Sequence, residues 1–403
     1  MKNKILISNK IYPYYYGLSL DLMFWAAIST IFLTIVKKFS VSQINSLTSI
    51  SIVTCVIGYP LVLKIIKKIG NINSIKFGNV SLLLASILIT FFKNYHGVLI
   101  GFIFYQYAFL FKSIDNVILR NNLKYLGKEE LFFKYQTKGT LIYSILTLII
   151  SLLSGMIFNI NNYLPMYISI LICVLNCILM NFIKEAPIDN NNKLGEKENK
   201  FKAITKSILL ILLFSLIVYS LIDCGQMNSK LFLQDNMSKF INEKKVVLYL
   251  SFIIFVSRIF RVLFNIIFNK IYEYIKRKLS LIINLCLILS FSLILFGNLF
   301  QKNITGIITM SIGFIIYLSI RDLVDNYFRT ILLDNCDPKT HDDVAVYYYL
   351  ARKIGDFILS GIISIITFKL PLKYAFIFLL ILSVLAIPFA LKVNNIANKG
   401  SEN

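Results

Sequence analysis

FKSIDNVILRNNL occupies residues 111–123 and IRDLVDNYFRTILL occupies residues 320–333. Each stretch sets an Asp-Asn pair and a nearby Arg where a long apolar run comes to its end. Asp115 and Asp325 are 210 residues apart. Ionic groups at the end of an apolar helix are costly to bury, so a second copy of the pattern points to duplication of a larger unit.

The rest of the chain agrees with a membrane setting. Of 403 residues, 57% are hydrophobic and only 15% are charged, against about a quarter charged in soluble domains. Apolar runs of some 20 residues recur, each able to cross a hydrocarbon core roughly 30 Å thick. Twelve are read, near 14–36, 44–66, 74–92, 97–119, 139–158, 163–183, 206–227, 244–268, 279–299, 303–325, 345–367 and 372–391. They lack period-2 alternation, so the predicted class is an all-α polytopic membrane protein rather than a barrel. Residues 1–13 are short, basic and polar, and the first run is too long for the apolar core of a cleavable signal.

The net charge of +22 does not imply a nucleic-acid partner, because the basic residues alternate with topology. With the N-terminus placed in the cytoplasm, the inner segments carry 30 of the 42 Lys and Arg and the outer loops 10. This excess predicts both termini inside, with the basic face also available to anionic lipid. Among the six cysteines, Cys55, Cys173, Cys177, Cys224 and Cys286 fall in apolar runs and Cys336 in an inner loop. No metal-ligand spacing appears, and they read as small buried hydrophobes. The Tyr-rich start, YPYYYG at 12–17, reads as an interfacial aromatic anchor.

Three anchors support two copies of a six-helix unit. STIFLT (29–34) resembles SKLFLQ (229–234), NYLPMY (162–167) resembles KLPLKY (369–374), and DNVILR (115–120) resembles DNYFR (325–329). Pro165 and Pro371 are both predicted in a first helical turn, where a missing N–H costs nothing. Residues 184–206 are polar and Asn-rich, and read as a cytoplasmic linker between a bundle over 1–183 and another over 207–403. Six helices per half start both halves on the same side, so the repeats are parallel.

That architecture resembles the major facilitator superfamily. The superfamily's loop between helices 2 and 3 has the form G-x-x-x-D-R-x-G-R-K. Here LKIIKKIGN (63–71) keeps Lys68 and Gly70, but has Leu63 for the first Gly and Lys67 for the Asp. FNKIYEYIKRK (268–278) keeps only the basic tail. The Gly- and Pro-rich antiporter signature is missing from GTLIYSILTLIISLLSG (139–155). The resemblance implies a fold of two rocking bundles, without assigning a solute.

Polar groups inside the runs are the candidate functional residues. Asp21 reads either as a proton or cation site or as an ion pair bracing the first helix. Arg258 and Arg261 share a helix face in the eighth run; Arg258 reads as buried against an acid or an anion, Arg261 as snorkelling. Asp223, followed by Gly225, Gln226, Asn228 and Ser229, is expected where the seventh helix loosens toward the outer side. Gln106, between two tyrosines, is a further solute candidate, whereas Asn176 reads as an interhelical bond. Lys112, Asp115, Lys138, Arg321, Asp325, Arg329, Arg352 and Asp356 are expected as a cytoplasmic gate. Its local pairs would be Lys112–Asp115, Asp325 with Arg321 or Arg329, and Arg352–Asp356. The resemblance implies that such clusters join the halves. Asp342 and Asp343 are expected to cap a helix, and His341 lacks metal spacing.

No P-loop, HExxH or GxSxG is present, so neither ATP use nor intramembrane hydrolysis is implied. The expected activity is secondary transport of a small solute across a bacterial cell membrane by alternating access. Protons are a candidate coupling ion. No cofactor or metal is called for, and the chain is expected to be monomeric. The rival reading is a non-transporting membrane sensor or assembly partner with the same fold.

Overall fold

The computed structural model describes residues 2–187, 205–275, 278–300, 303–336 and 341–400. Most of the expected linker, and the caps expected from Asp342 and Asp343, lie outside the described residues or side chains.

The described chain is helical throughout. In order, the helices are α1 (Lys2–Ser19), α2 (Trp25–Ile31), α3 (Val41–Ile69), α4 (Asn71–Phe91), α5 (Tyr95–Lys112), α6 (Asp115–Tyr125), α7 (Phe132–Ile160), α8 (Leu164–Met180), α9 (Lys206–Ser238), α10 (Glu243–Ile275), α11 (Leu279–Asn298), α12 (Ile304–Ser319), α13 (Arg321–Asp334), α14 (His341–Lys369), α15 (Lys373–Leu385) and α16 (Ile387–Gly400). Nine helical stretches among the described residues are long and apolar enough to cross a membrane. Trp25–Val36 and Leu164–Met180 are shorter apolar helices, and α14 carries charge in its first half. Together they correspond in order to the twelve apolar runs.

Two compact units form, one from residues 1–38 and 50–195, the other from 39–49 and 196–403. Residues 39–49 join the second unit through Asn45, which trades amide hydrogen bonds with Asn228 at 3.0 Å, and through Ser42, which donates to the Ser364 carbonyl at 2.8 Å.

Several local expectations are corrected. Helix α1 begins at Lys2, so the polar first 13 residues are largely helical. The Tyr-rich stretch is not a surface anchor throughout: Tyr12 and Tyr15 are buried, and only Tyr14 is exposed. The first run is not one helix. It breaks at residues 20–24, resumes as α2 and ends in a π-turn over Phe32–Val36. The expected loosening at Gly225 is absent, because α9 runs unbroken for 33 residues. The Phe291 ring packs close to Gly225, where a Cβ would lie 3.2 Å from it. Pro165 occupies the first turn of α8 as expected, but Pro371 precedes α15 by two residues.

Glycines sit at two close helix approaches. A Cβ on Gly78 of α4 would lie 2.5 Å from the Lys112 stem and 2.9 Å from the Ala108 carbonyl on α5. A Cβ on Gly297 of α11 would lie 2.7 Å from the Gly306 carbonyl on α12. Small residues at such crossings let membrane helices pack backbone to backbone.

Candidate functional site

In the first unit the break in α1 organises the polar groups. Ending a helix leaves its last carbonyls without intrahelical donors. Two neighbouring helices supply donors here. Asn176 of α8 donates from Nδ2 to the Leu18 carbonyl at 2.9 Å, and the buried Lys112 ammonium of α5 donates to the Ser19 carbonyl. Gly78 makes room for the Lys112 stem. Asp21 sits in the break, rather than within a helix as expected. Its Oδ1 accepts from the Leu22 amide at 2.7 Å and from the Tyr105 hydroxyl at 2.6 Å. Gln106 follows Tyr105 on α5 and is half-buried.

Asp115 opens α6, one turn beyond the end of α5, where a carboxylate also suits the helix dipole. The expected pair with Lys112 does not form, since that ammonium is committed to Ser19. Instead Asp115 accepts from the Tyr15 hydroxyl at 3.4 Å, and Tyr15 accepts from Asn79 Nδ2 at 3.0 Å. Tyr12 donates to Asn116 at 3.1 Å. Lys138, expected near Asp115, lies over the Tyr14 ring at 4.8 Å instead.

The second unit holds a larger ionic network. Asp223 lies midway along α9, so its carboxylate needs partners. Arg321, the first residue of α13, reaches it at 3.0 Å, and Arg352 of α14 at 2.8 Å. Arg321 Nη1 also donates to Gln226 Oε1 at 2.9 Å, one turn along α9. The Arg352 guanidinium stacks over the Tyr219 ring at 4.3 Å. The three charged side chains keep 21–29% of their surface accessible. The cluster therefore sets two cations against one carboxylate, a net charge of +1, and is not sealed.

Next to it, the Tyr219 hydroxyl donates to Asp325 Oδ1 at 2.6 Å and accepts from the Tyr348 hydroxyl at 2.6 Å. Asp325 Oδ2 pairs with Arg329 at 2.9 Å. Asp325, Arg329, Leu332, Tyr348 and Arg352 help line a cavity of about 150 Å³.

Of the expected local pairs, therefore, only Asp325–Arg329 forms. Arg321 turns from Asp325 to Asp223. Arg352 turns from Asp356 to the same Asp223. For Arg321 the same-helix alternative, Asp325, is partly exposed and a pair there is worth under about 1 kcal/mol, whereas Asp223, inside an apolar helix, must be compensated. Arg258 and Arg261 are half-buried on α10.

The sequence reading missed Tyr15, Tyr219 and Tyr348. The signal was available: Tyr15 and Tyr219 are 204 residues apart, close to the repeat offset. The same offset relates Ser19 to Asp223. In both units a cation from the fourth helix of the repeat clasps this level of the first. Lys112 takes a backbone carbonyl freed by the break in α1, and Arg321 takes the carboxylate that the unbroken α9 carries instead.

Comparison with known proteins places the chain in a family. No curated protein matches the chain in sequence. The solved nucleoside transporter NupG is similar in fold, with a TM-score of 0.75 at 14% identity, covering 98% of this chain and 99% of that one. A bacterial homolog to the human lysosomal transporter Spinster, in an inward-facing and unoccupied conformation, has a TM-score of 0.68 at 11% identity, with 99% of both chains covered. A family model for the Major Facilitator Superfamily matches residues 14–358. The chain is thus a multi-pass membrane protein that belongs to the Major Facilitator Superfamily.

Proposed function

We propose that the chain is a secondary transporter that moves a small polar solute across the cell membrane by alternating access, with both termini in the cytoplasm. The observation that carries this reading is the Asp223 cluster. Two guanidiniums, one carboxylate and the Gln226 amide converge midway along an apolar helix and remain partly accessible. A purely structural ion pair has no need of accessible donors, and replacing it with apolar packing is often neutral or stabilising. A solute site has that need. Binding would exchange part of the Arg–Asp bonding for solute bonding, so solute and cluster geometry are linked.

Within the first unit, Asp21, Tyr105 and Gln106 at the break in α1 are separate candidate solute contacts. Lys112, Asp115, Lys138, Arg321, Asp325, Arg329, Arg352 and Asp356 remain the proposed cytoplasmic gate elements, with Arg321 and Arg352 doubling as solute contacts.

Flux into proteoliposomes tests the reading. The nucleoside transporter NupG shares the fold, so nucleosides head the panel, followed by sugars, amino acids and organic anions. Uptake of at least one class is expected, reduced ten-fold or more in Arg352→Gln, because loss of one good charged contact costs about 1.5–3 kcal/mol. Absence of flux for every class from both membrane orientations would sink it in favour of a non-transporting partner.

A further inference from the structure

The later part of α3 keeps one face open. Ile57, Leu61, Lys64 and Lys68 follow one another at spacings of four, three and four residues, so they form a single stripe. All four are exposed, Ile57 at 74% and Leu61 at 63%. Lys67 is exposed beside them. On a membrane-spanning helix, exposed apolar residues face hydrocarbon, and the cations that follow them mark the level of the lipid headgroups. The stripe changes from an apolar wall to a cationic end within one turn, since Leu61 and Lys64 are about 4.5 Å apart along the axis. Gly70, at φ 80°, then turns the chain directly into α4. There Lys76 adjoins Phe77, which is 54% exposed, so cation and open apolar surface meet again.

The protein does not answer these cations itself. No Asp or Glu stands anywhere between Asp21 and Asp115. Among the described residues, none pairs ionically with Lys64, Lys67, Lys68 or Lys76, and none accepts a hydrogen bond from their ammonium groups. Glu185 comes to this turn, but its Oε1 takes Asn71 Nδ2 at 2.6 Å and Asn121 Nδ2 at 3.1 Å instead of a lysine. The dipole of α3 suits Lys67 and Lys68, in its last turn. It does not account for Lys64, a turn earlier, or for Lys76 on the next helix. Like charges four residues apart, as at Lys64 and Lys68, also weaken a helix, and an anion that spans the two removes that cost.

We propose that the end of α3 and the start of α4 bind one anionic phospholipid. Its phosphate sits at Lys64 and Lys68, within the positive field of Lys67 and Lys76, and an acyl chain lies along Leu61 and Ile57. The occupant is a lipid rather than a free anion because the cations continue an apolar wall that only a chain-bearing anion can use. This binding rests on the membrane placement of the chain and not on transport, so its test involves no flux.

Native mass spectrometry of the full chain, released from detergent micelles with known amounts of phosphatidylglycerol or phosphatidylcholine, counts the bound lipid directly. Phosphatidylglycerol is expected to bind about ten-fold or more tightly than phosphatidylcholine, because several cations act on one phosphate. Lys64→Gln with Lys67→Gln and Lys68→Gln should remove most of that preference. Lys2→Gln with Lys4→Gln and Lys10→Gln, an equal loss of charge from exposed positions on α1, should keep it. A phosphatidylglycerol with a photoreactive acyl chain should label the unmodified chain within residues 57–61, which covers the case in which the α3 variant does not fold. Equal binding of the two lipids, equal loss of preference in both triple variants, or labelling without enrichment at residues 57–61 overturns the proposal. Displacement of phosphatidylglycerol by glycerol phosphate at comparable concentration identifies a site for a free anion and overturns it too.

Discussion

The Tyr219 hydroxyl lies 2.6 Å from Asp325 Oδ1, and the Tyr15 hydroxyl makes the same contact with Asp115 at 3.4 Å. The two tyrosines are 204 residues apart and the two aspartates 210. A first-helix tyrosine thus meets the aspartate of a late fourth-helix segment in each unit. The second hydrogen bond to the hydroxyl differs: Asn79 donates to Tyr15, and Tyr348 donates to Tyr219. The duplicated element is the Tyr–Asp bond, and its support has diverged.

Removing the hydroxyl should therefore be costlier in the second unit. Tyr219→Phe is expected to destabilise by about 1.5–3 kcal/mol, the range for a bond to a charged acceptor. Tyr15→Phe should cost less, since its bond is longer. Thermal unfolding in detergent of the two variants checks the order, and equal midpoints would contradict it.

The Asp223 cluster should show strong coupling. Arg352→Gln leaves Asp223 with one cation, and Arg321→Gln likewise. Each should destabilise, whereas Asp223→Asn combined with Arg352→Gln should recover part of the loss, because the uncompensated charge is gone. A double-mutant cycle should give an interaction energy of at least about 0.5 kcal/mol. Additive losses would mean that Asp223 and Arg352 do not depend on each other.

Packing at Gly78 should be intolerant. Its Cβ would meet both the Lys112 stem and the backbone carbonyl of Ala108. The side chain can shift, but the carbonyl belongs to a packed helix. Gly78→Ala is expected to cost about 1–3 kcal/mol, as overpacking does, and Gly78→Leu to prevent accumulation of folded protein. Measured expression and melting temperatures equal to the parent would show that α4 and α5 can separate freely.

Lys37, in the turn before α3, gives a pH dependence. Its ammonium donates to the carbonyls of Thr90 at 2.7 Å and Phe92 at 2.6 Å, at the end of α4. Burial, with a smaller push from Lys93, moves this lysine from its usual range down to about 8. The unfolded chain then binds more protons than the folded one between about 8 and 10.5, so this group makes folding more favourable as pH rises through that window. Lys37→Gln should flatten the rise. A pH–stability slope identical to the parent between pH 8 and 10 would assign it to other groups.

Labelling addresses topology. A cysteine placed at Asn191, in the polar stretch after α8, should react with an impermeant thiol reagent only after the cells are opened. Reaction in intact cells would invert the proposed orientation.

Much of the fold was legible in the sequence, because membrane insertion is decided by local properties. Apolar runs of sufficient length announce helices, and the 30 to 10 partition of basic residues supports an orientation that labelling can test. The duplication showed in residues such as Asp115 and Asp325. What the sequence could not decide was where each charged side chain would turn. Spacing along a helix names Asp356 as the neighbour of Arg352, Asp325 of Arg321 and Asp115 of Lys112. The tertiary structure sends all three cations elsewhere, to Asp223 or to the Ser19 carbonyl. The break in α1 was equally hidden: residues 18–24 contain neither Gly nor Pro, and it is held by donors from α5 and α8, distant in sequence. A long side chain in an apolar interior takes the partner that best offsets lost hydration, and only the packing of helices decides which partner is within reach.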